Sequence, residues 1–304
     1  SPRPDASSER RSAFRRAAKA PRPSARNDSN EPKSVKRAVS LAGRTTSRTS
    51  ADRTFGLGQK TSGGTQHMIS TRASAPGMMT MMPYTSSWFR DWRGDLSFQS
   101  VEGDFVITTR VQSSGRSGAG APRSAYSLGG IMVRAPRQVT PATWLPGGEN
   151  FLFLSLGTAA NVGTWEFETK TTVNSNSQLA TFRAGSGESL LQIARIGRTF
   201  LLLVQVPGGP WTVLRRMDRA DLPARLQVGL TAYTDWYTCS RYAPFDHNSR
   251  VITDGNPDLI ARFDYARFHR PRVPASLRGR SLSDPVAVPD SELLTFLGQG
   301  PSQP

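Results

Sequence analysis

Between residues 105 and 269 the apolar positions come in short runs rich in β-branched and aromatic side chains, separated by glycine-rich turns. Residues 105–111 (FVITTRV), 127–134 (SLGGIMVR), 150–157 (NFLFLSLG) and 163–173 (GTWEFETKTTV) each predict a strand, because such side chains suit a pleated, half-buried surface. SLLQIARIG and RTFLLLVQV meet at Gly197-Arg198 and predict a hairpin. WTVLRR follows the PGGP turn as a further strand, then LQVGLTAYT, and LIARFDYARFH closes the series as one long strand. No helical period is sustained across these runs. The pattern therefore predicts an all-β fold, an antiparallel two-sheet β-sandwich over residues 84–270.

Residues 1–83 break the pattern. They hold two aromatics, Phe14 and Phe55, while all six Trp and all six Tyr lie at or beyond Tyr84. They also carry 16 of the 39 Lys and Arg against five acids, a net +11 of the chain's +16. A segment this polar cannot repay its ordering entropy by burial, so it is expected to be an extended basic arm, ordered only on partners. Within it residues 8–19 (SERRSAFRRAAK) have helical propensity. The arm's charge suits acidic protein surfaces, anionic lipid or an RNA backbone. Arg10, Arg11, Arg15, Arg16 and Arg37 are the expected contacts, since guanidinium forks bind carboxylate and phosphate. The Met cluster that ends it, with Met78 and Met79, is a candidate docking anchor or a piece of the sandwich's own core.

Residues 271–304 form a proline-rich tail, interrupted by DSELLTFLGQ, where one helical turn would present Leu293 and Phe296. That turn fits a partner or the parent domain equally. Cys239 is the only cysteine, which excludes an internal disulfide and a Cys-built zinc site. The longest apolar run, residues 200–204, is far too short to span a bilayer.

The run LLQIARIGRTFLLLVQVPGGPWTVL, followed by LPARLQVGLTAYT, resembles the concanavalin A-like lectin/glucanase sandwiches. It is similar to a branch of largely uncharacterised bacterial domains with the pattern L-x-I-x-R-x-G-x-x-F, a G-x-W-T turn and V-G-L-x-A. WFRDWRGDLSFQSVEGDFVITTRV looks like the start of such a domain and PDLIARFDYARFHRP like its closing strand, so the resemblance spans about residues 87–271. It implies a jelly-roll sandwich, but this fold carries lectins, glycosidases and adhesion modules alike.

Glucanases of that superfamily place their carboxylates on one strand as E-x-D-x-x-E. Here Glu166 and Glu168 alternate onto one face, but Lys170 and Thr171 stand where the pattern continues. The expectation is therefore no catalysis, and a solvated strand face. Sugar binding would use exposed aromatics beside polar loops: Trp88, Trp92, Trp236, Tyr237 and Tyr242 are candidates, with Trp165 and Trp211 assigned to the core. Residues 234–259 form the longest insertion between strands, and long loops often carry function. Its Asp235, Asp246, Asn248, Asp254 and Asn256 could offer oxygen ligands to calcium, with ordinary Asx turns the expected alternative. No cofactor is expected, and residues 113–122 (SGRSGAGAP after Ser113) read as a hairpin loop rather than a phosphate loop.

The reading that follows is a non-enzymatic accessory subunit of a large complex, with the arm threading over neighbouring subunits. The expected setting is a bacterial membrane complex, photosynthetic or respiratory, with the chain peripheral and exported or periplasmic. The alternative is a secreted carbohydrate-binding domain using Trp236, Tyr237 and Tyr242, and the third is a glycoside hydrolase.

Overall fold

A computed structural model describes residues 77–298, together with the backbone of three short strands before them: β1 (Asp52–Thr54), β2 (Gly58–Gln59) and β3 (Gln66–Ser70). Arg10, Arg11, Arg15, Arg16 and Arg37, and the helix expected at residues 8–19, lie outside the described residues. The strands that follow are β4 (Met79–Pro83), β5 (Asp95–Glu102), β6 (Phe105–Ser114), β7 (Ser127–Arg134), β8 (Phe151–Thr158) and β9 (Glu166–Val173). They continue with β10 (Asn176–Arg183), β11 (Glu188–Ile196), β12 (Thr199–Gln205), β13 (Trp211–Asp218), β14 (Arg225–Tyr233), β15 (Ile260–Phe263) and β16 (Arg267–His269). Helices are short: α1 (Trp236–Cys239), α2 (Pro244–Ser249) and α3 (Asp290–Leu297).

All pairings are antiparallel and build two sheets. One runs β13-β12-β11-β6-β15-β4-β3, with β16 beside β6 and β1 beside β16; the other runs β10-β9-β8-β7-β14-β5-β2. The alternation of each strand divides its side chains between an inter-sheet core and an outer face. In β12, Phe200, Leu202 and Val204 enter the inter-sheet core, whereas Leu201 and Leu203 face outward. That outer face is covered by the C-terminal segment, whose Leu277, Leu282, Val288, Leu293 and Leu297 are buried against Val106, Ala194 and Trp211. Burial on both faces explains why the sequence of β12 is continuously apolar rather than alternating. Arg216 ties the segment down, donating from Nη1 to the carbonyls of Val288 (2.7 Å) and Leu282 (3.1 Å).

The outer face of the second sheet carries its own apolar layer, in which Leu96, Leu128, Met132, Phe151, Phe153 and Tyr233 pack with Trp88. Residues 84–94 and the insertion at residues 234–259 lie over this layer. The all-β sandwich expected from the hydrophobic pattern is thus the fold.

Several expectations need correction. β4 lies before residue 84 yet is a sheet strand, paired with β15 and β3, and Met79 and Met81 are fully buried in the core. Met79 therefore has no free side chain to anchor a partner, and Met78 is half-buried beside it. Likewise Leu293 is buried on the parent domain and Phe296 packs against the same cluster. Apolar groups with a sheet face within reach gain about 25 cal/mol for each Å² they cover there. Residues 113–122 do not form a hairpin loop, because β6 and β7 belong to opposite sheets. LIARFDYARFH is not one strand but β15 and β16, broken at Asp264 to Ala266.

Candidate functional site

β9 carries Glu166, Glu168 and Lys170 on its outer side, since Phe167 between them belongs to the inter-sheet core. All three are buried, at 6%, 0% and 2% exposure, so the solvated face expected from sequence is instead an interior. Lys170 is the only lysine after Lys60 in a chain whose remaining cations there are arginines. Register sets it opposite Phe153 of β8 and Leu179 of β10. Its ammonium lies 4.9 Å from the Phe153 ring centroid, 5.4 Å from that of Phe89, 5.8 Å from Tyr233 and 5.9 Å from Tyr126. Each of these ring faces attracts a cation through its quadrupole.

The same ammonium pairs with Glu168 Oε1 at 2.9 Å and donates to the Trp88 carbonyl at 2.8 Å. The other carboxylate oxygen of Glu168 accepts from the Tyr233 hydroxyl at 3.0 Å. With its one proton given to Glu168, Tyr233 must accept from Ser155 Oγ, 2.7 Å away. Burial, and then the charge of Glu168, raises the Tyr233 phenol well above its ordinary value, and the Tyr126 phenol rises for the same two reasons. Both hydroxyls stay protonated. Glu166 is spent on the loop after β8, accepting from the Ala159 backbone N–H (3.2 Å) and Asn161 Nδ2 (2.8 Å).

Above this polar row opens a cleft of about 180 Å³, lined by Ser87, Phe89, Tyr126, Lys170, Leu179 and Trp236. Neither carboxylate lines it. Trp236 stands edge-on to Phe89, with centroids 5.1 Å apart, and to Trp92 at 5.6 Å. Asp235 fixes the position of Trp236: it accepts from Thr85 Oγ1 (2.8 Å), the Asn256 N–H (2.6 Å) and the Thr238 N–H (3.3 Å). Backbone strain gathers here. Among the described residues, five non-glycine positions have positive φ, and three of them surround the cleft: Arg90 (51°), Tyr126 (53°) and Asp235 (65°). Positive φ in a residue with a Cβ is held only by its surroundings, and it clusters at functional sites.

The turn that holds Arg90 is tied to a buried charge cluster. Glu149, 1% exposed, accepts from Arg93 Nε (2.8 Å), Arg134 Nε (2.9 Å) and Arg137 Nη1 (3.0 Å). Arg93 N–H donates to Asn248 Oδ1 (3.1 Å), and Asn248 Nδ2 donates to the Asp91 carbonyl (2.7 Å). Asp91 in turn receives Ser175 Oγ at 2.6 Å. The cluster therefore clamps the turn bearing Phe89 and Arg90 to the insertion bearing Trp236.

Of the aromatics expected to meet sugar, Trp236 lines the cleft, and Trp92 is half-buried behind it, donating from Nε1 to the Tyr242 carbonyl. Trp88 is a core residue at 1% exposure. Tyr237 is exposed outside the cleft, and the Tyr242 hydroxyl bonds Asp254. Among the described residues no three His, Cys, Asp or Glu gather as metal ligands, and Asp235 serves as a helix cap and loop tie. Cys239 is a free, buried thiol whose pKa burial raises. Phe89 and Tyr126 are not singled out by sequence, and Lys170 enters there only as the break in the carboxylate pattern, although an isolated lysine in an arginine-rich domain is itself a signal.

No protein-family model matches the chain, and no curated protein does. Among solved structures it is similar to a functionally unknown protein from Saccharomyces cerevisiae, 16% identical over 68% of this chain and 94% of that one, with a TM-score of 0.47. It is also similar to xylan beta-1,4-xylosidase from Bacillus halodurans C-125, 12% identical over 66% of this chain and only 34% of that one, TM-score 0.44. A third is lectin I-B4 from Griffonia simplicifolia, 13% identical over 64% of this chain and 89% of that one, TM-score 0.41. These likenesses concern the sandwich alone; the fold, two antiparallel sheets packed face to face, stands on the strand pairing itself.

Proposed function

We propose that this chain is a non-catalytic carbohydrate-binding domain that seats a single sugar ring in the cleft beside Trp236. The observation that carries this reading is the combination of three aromatic walls with buried polar donors. Apolar ring faces of a sugar can pack on Trp236, Phe89 and Tyr126, while Lys170 and Ser87 supply the fixed polar groups that orient it. A volume near 180 Å³ is below the roughly 300–1,000 Å³ of sites for larger ligands, which favours one ring over a long chain. The carboxylates support a role without catalysis, because both are committed to protein partners and neither lines the cleft. Trp236→Ala should weaken glycan binding about tenfold or more, equivalent to about 1.4 kcal/mol, without unfolding the domain. A glycan array followed by calorimetric titration checks this; wild-type protein that binds no glycan, or a variant that binds equally well, overturns it.

The accessory-subunit reading stands as a second proposal on one observation, the net +11 of residues 1–83. Its test is co-purification from native cells after deletion of residues 1–76. The deletion must spare β4, whose methionines are core. Unchanged co-purification would count against it.

A further inference from the structure

The cleft's charges narrow the ligand class. Its lining contains one charged side chain, the Lys170 ammonium, and no acid. Lys170 has three protons, and among the described residues its acceptors are Glu168 Oε1 and the Trp88 carbonyl, which leaves one proton without an acceptor there. That proton is available to a ligand oxygen in the cleft, where a charge-assisted hydrogen bond would form. The ammonium's counter-charge is shared as well, because Glu168 also accepts from Tyr233.

A second cation stands beside the lining residue Phe89. The Arg90 guanidinium lies 5.4 Å from the centroid of Phe89, the same ring that Lys170 approaches at 5.4 Å. Among the described residues Arg90 makes no ion pair; only its backbone N–H is bonded, to Ser177 Oγ at 2.8 Å. It is exposed, and the turn presenting it is held at positive φ, with the Trp92 N–H returning to the Phe89 carbonyl at 2.9 Å. A cleft whose one charged lining side chain is an ammonium, with a second, exposed cation beside the same Phe89 ring, suits an oxyanion attached to a ring.

Resting on the reading of the cleft as a sugar site, we propose that its ligand is an acidic sugar, with the ring on Trp236, the carboxylate on Lys170, and Arg90 adding attraction from beside Phe89. Charge-assisted hydrogen bonds of this kind are about twice as strong as neutral ones. The chain's net charge of +16 would further draw an anionic glycan toward it.

The test uses the full chain on an array printed with hexuronate- and sialate-terminated glycans, their carboxyl-methylated counterparts, and neutral glycans. The acids should bind about tenfold or more above their methyl esters, with binding that weakens as salt is raised. Arg90→Gln, an exposed substitution, should keep the melting temperature and reduce the acid-to-ester ratio several-fold. Lys170→Met should abolish the ratio, with Arg90→Gln deciding the matter if that variant fails to fold. Equal binding of acids and esters overturns the acidic-sugar proposal while leaving the sugar site standing. Binding of neutral glycans alone does the same, and binding of no printed glycan overturns both.

Discussion

Glu149→Ala should destabilise the sandwich by about 3–5 kcal/mol, the usual cost of removing one partner from a buried ionic group. Three guanidinium groups converge on this carboxylate, and the side chains of Arg93 and Arg134 are 9% and 7% exposed. Without Glu149 their charges would remain in the interior, with Asp91 reaching Arg137 only at 3.9 Å. The clamp between residues 84–94 and the insertion would loosen with it, so the variant should also lose ligand binding. Urea denaturation compares the two proteins, and a change below about 1 kcal/mol would show that the cluster is not a stability determinant.

The same carboxylate makes the domain acid-sensitive. Burial alone raises the Glu149 pKa, but the charges of Arg134 and Arg93 and their hydrogen bonds outweigh it, and the net shift is downward. A carboxylate held below its ordinary value contributes stability that is complete above the usual range near pH 4–5. That contribution falls away as pH drops through the lowered folded-state value. Stability against urea should therefore decline below about pH 4 in the native chain and show less of this decline in Glu149→Gln.

Lys170→Met carries the second large effect, also about 3–5 kcal/mol, because it leaves Glu168 fully buried with only Tyr233 to satisfy it. The informative comparison is the double variant Lys170→Met with Glu168→Leu. Replacing both members of a buried pair by apolar groups of similar size is often neutral or stabilising, so the double variant should regain most of the lost stability. It should not regain ligand binding. If binding survives in the folded double variant, the ammonium is not part of the site. If stability is not regained, the Ser155–Tyr233–Glu168 row supports the fold by more than its charge.

How much of this was legible in the sequence follows from how each side chain's surroundings are made. β7 runs over the predicted residues 127–134, and β8, β11 and β12 match closely, because they are apolar on one or both faces and bounded by turns. β10 is not legible because it is an edge strand with no fully buried side chain, so its sequence NSQLATFR has no continuous apolar face to read. β4 was hidden by its methionines, which have no strand preference to match Val or Ile. At the site, Trp236 could be picked out as an aromatic in a long insertion. Phe89 and Tyr126 could not, since only the fold brings residues 84–94 and the start of β7 over β9. The carboxylates Glu166 and Glu168 were placed on the correct face but judged solvated, because the covering layer comes from segments distant in sequence.

The C-terminal segment that roofs the first sheet has a consequence for biosynthesis. Val106, Ala194, Leu201 and Leu203 belong to strands made early, whereas Leu293 and Leu297, which cover them, are among the last described residues to be translated. Until those residues emerge, a sheet with an otherwise finished inter-sheet core presents an open apolar face. Exposed surface of this kind is what chaperones bind and what drives nascent chains to aggregate. Premature termination between β16 and α3 would thus yield a chain recognised as misfolded, although every strand of the sandwich had already been synthesised.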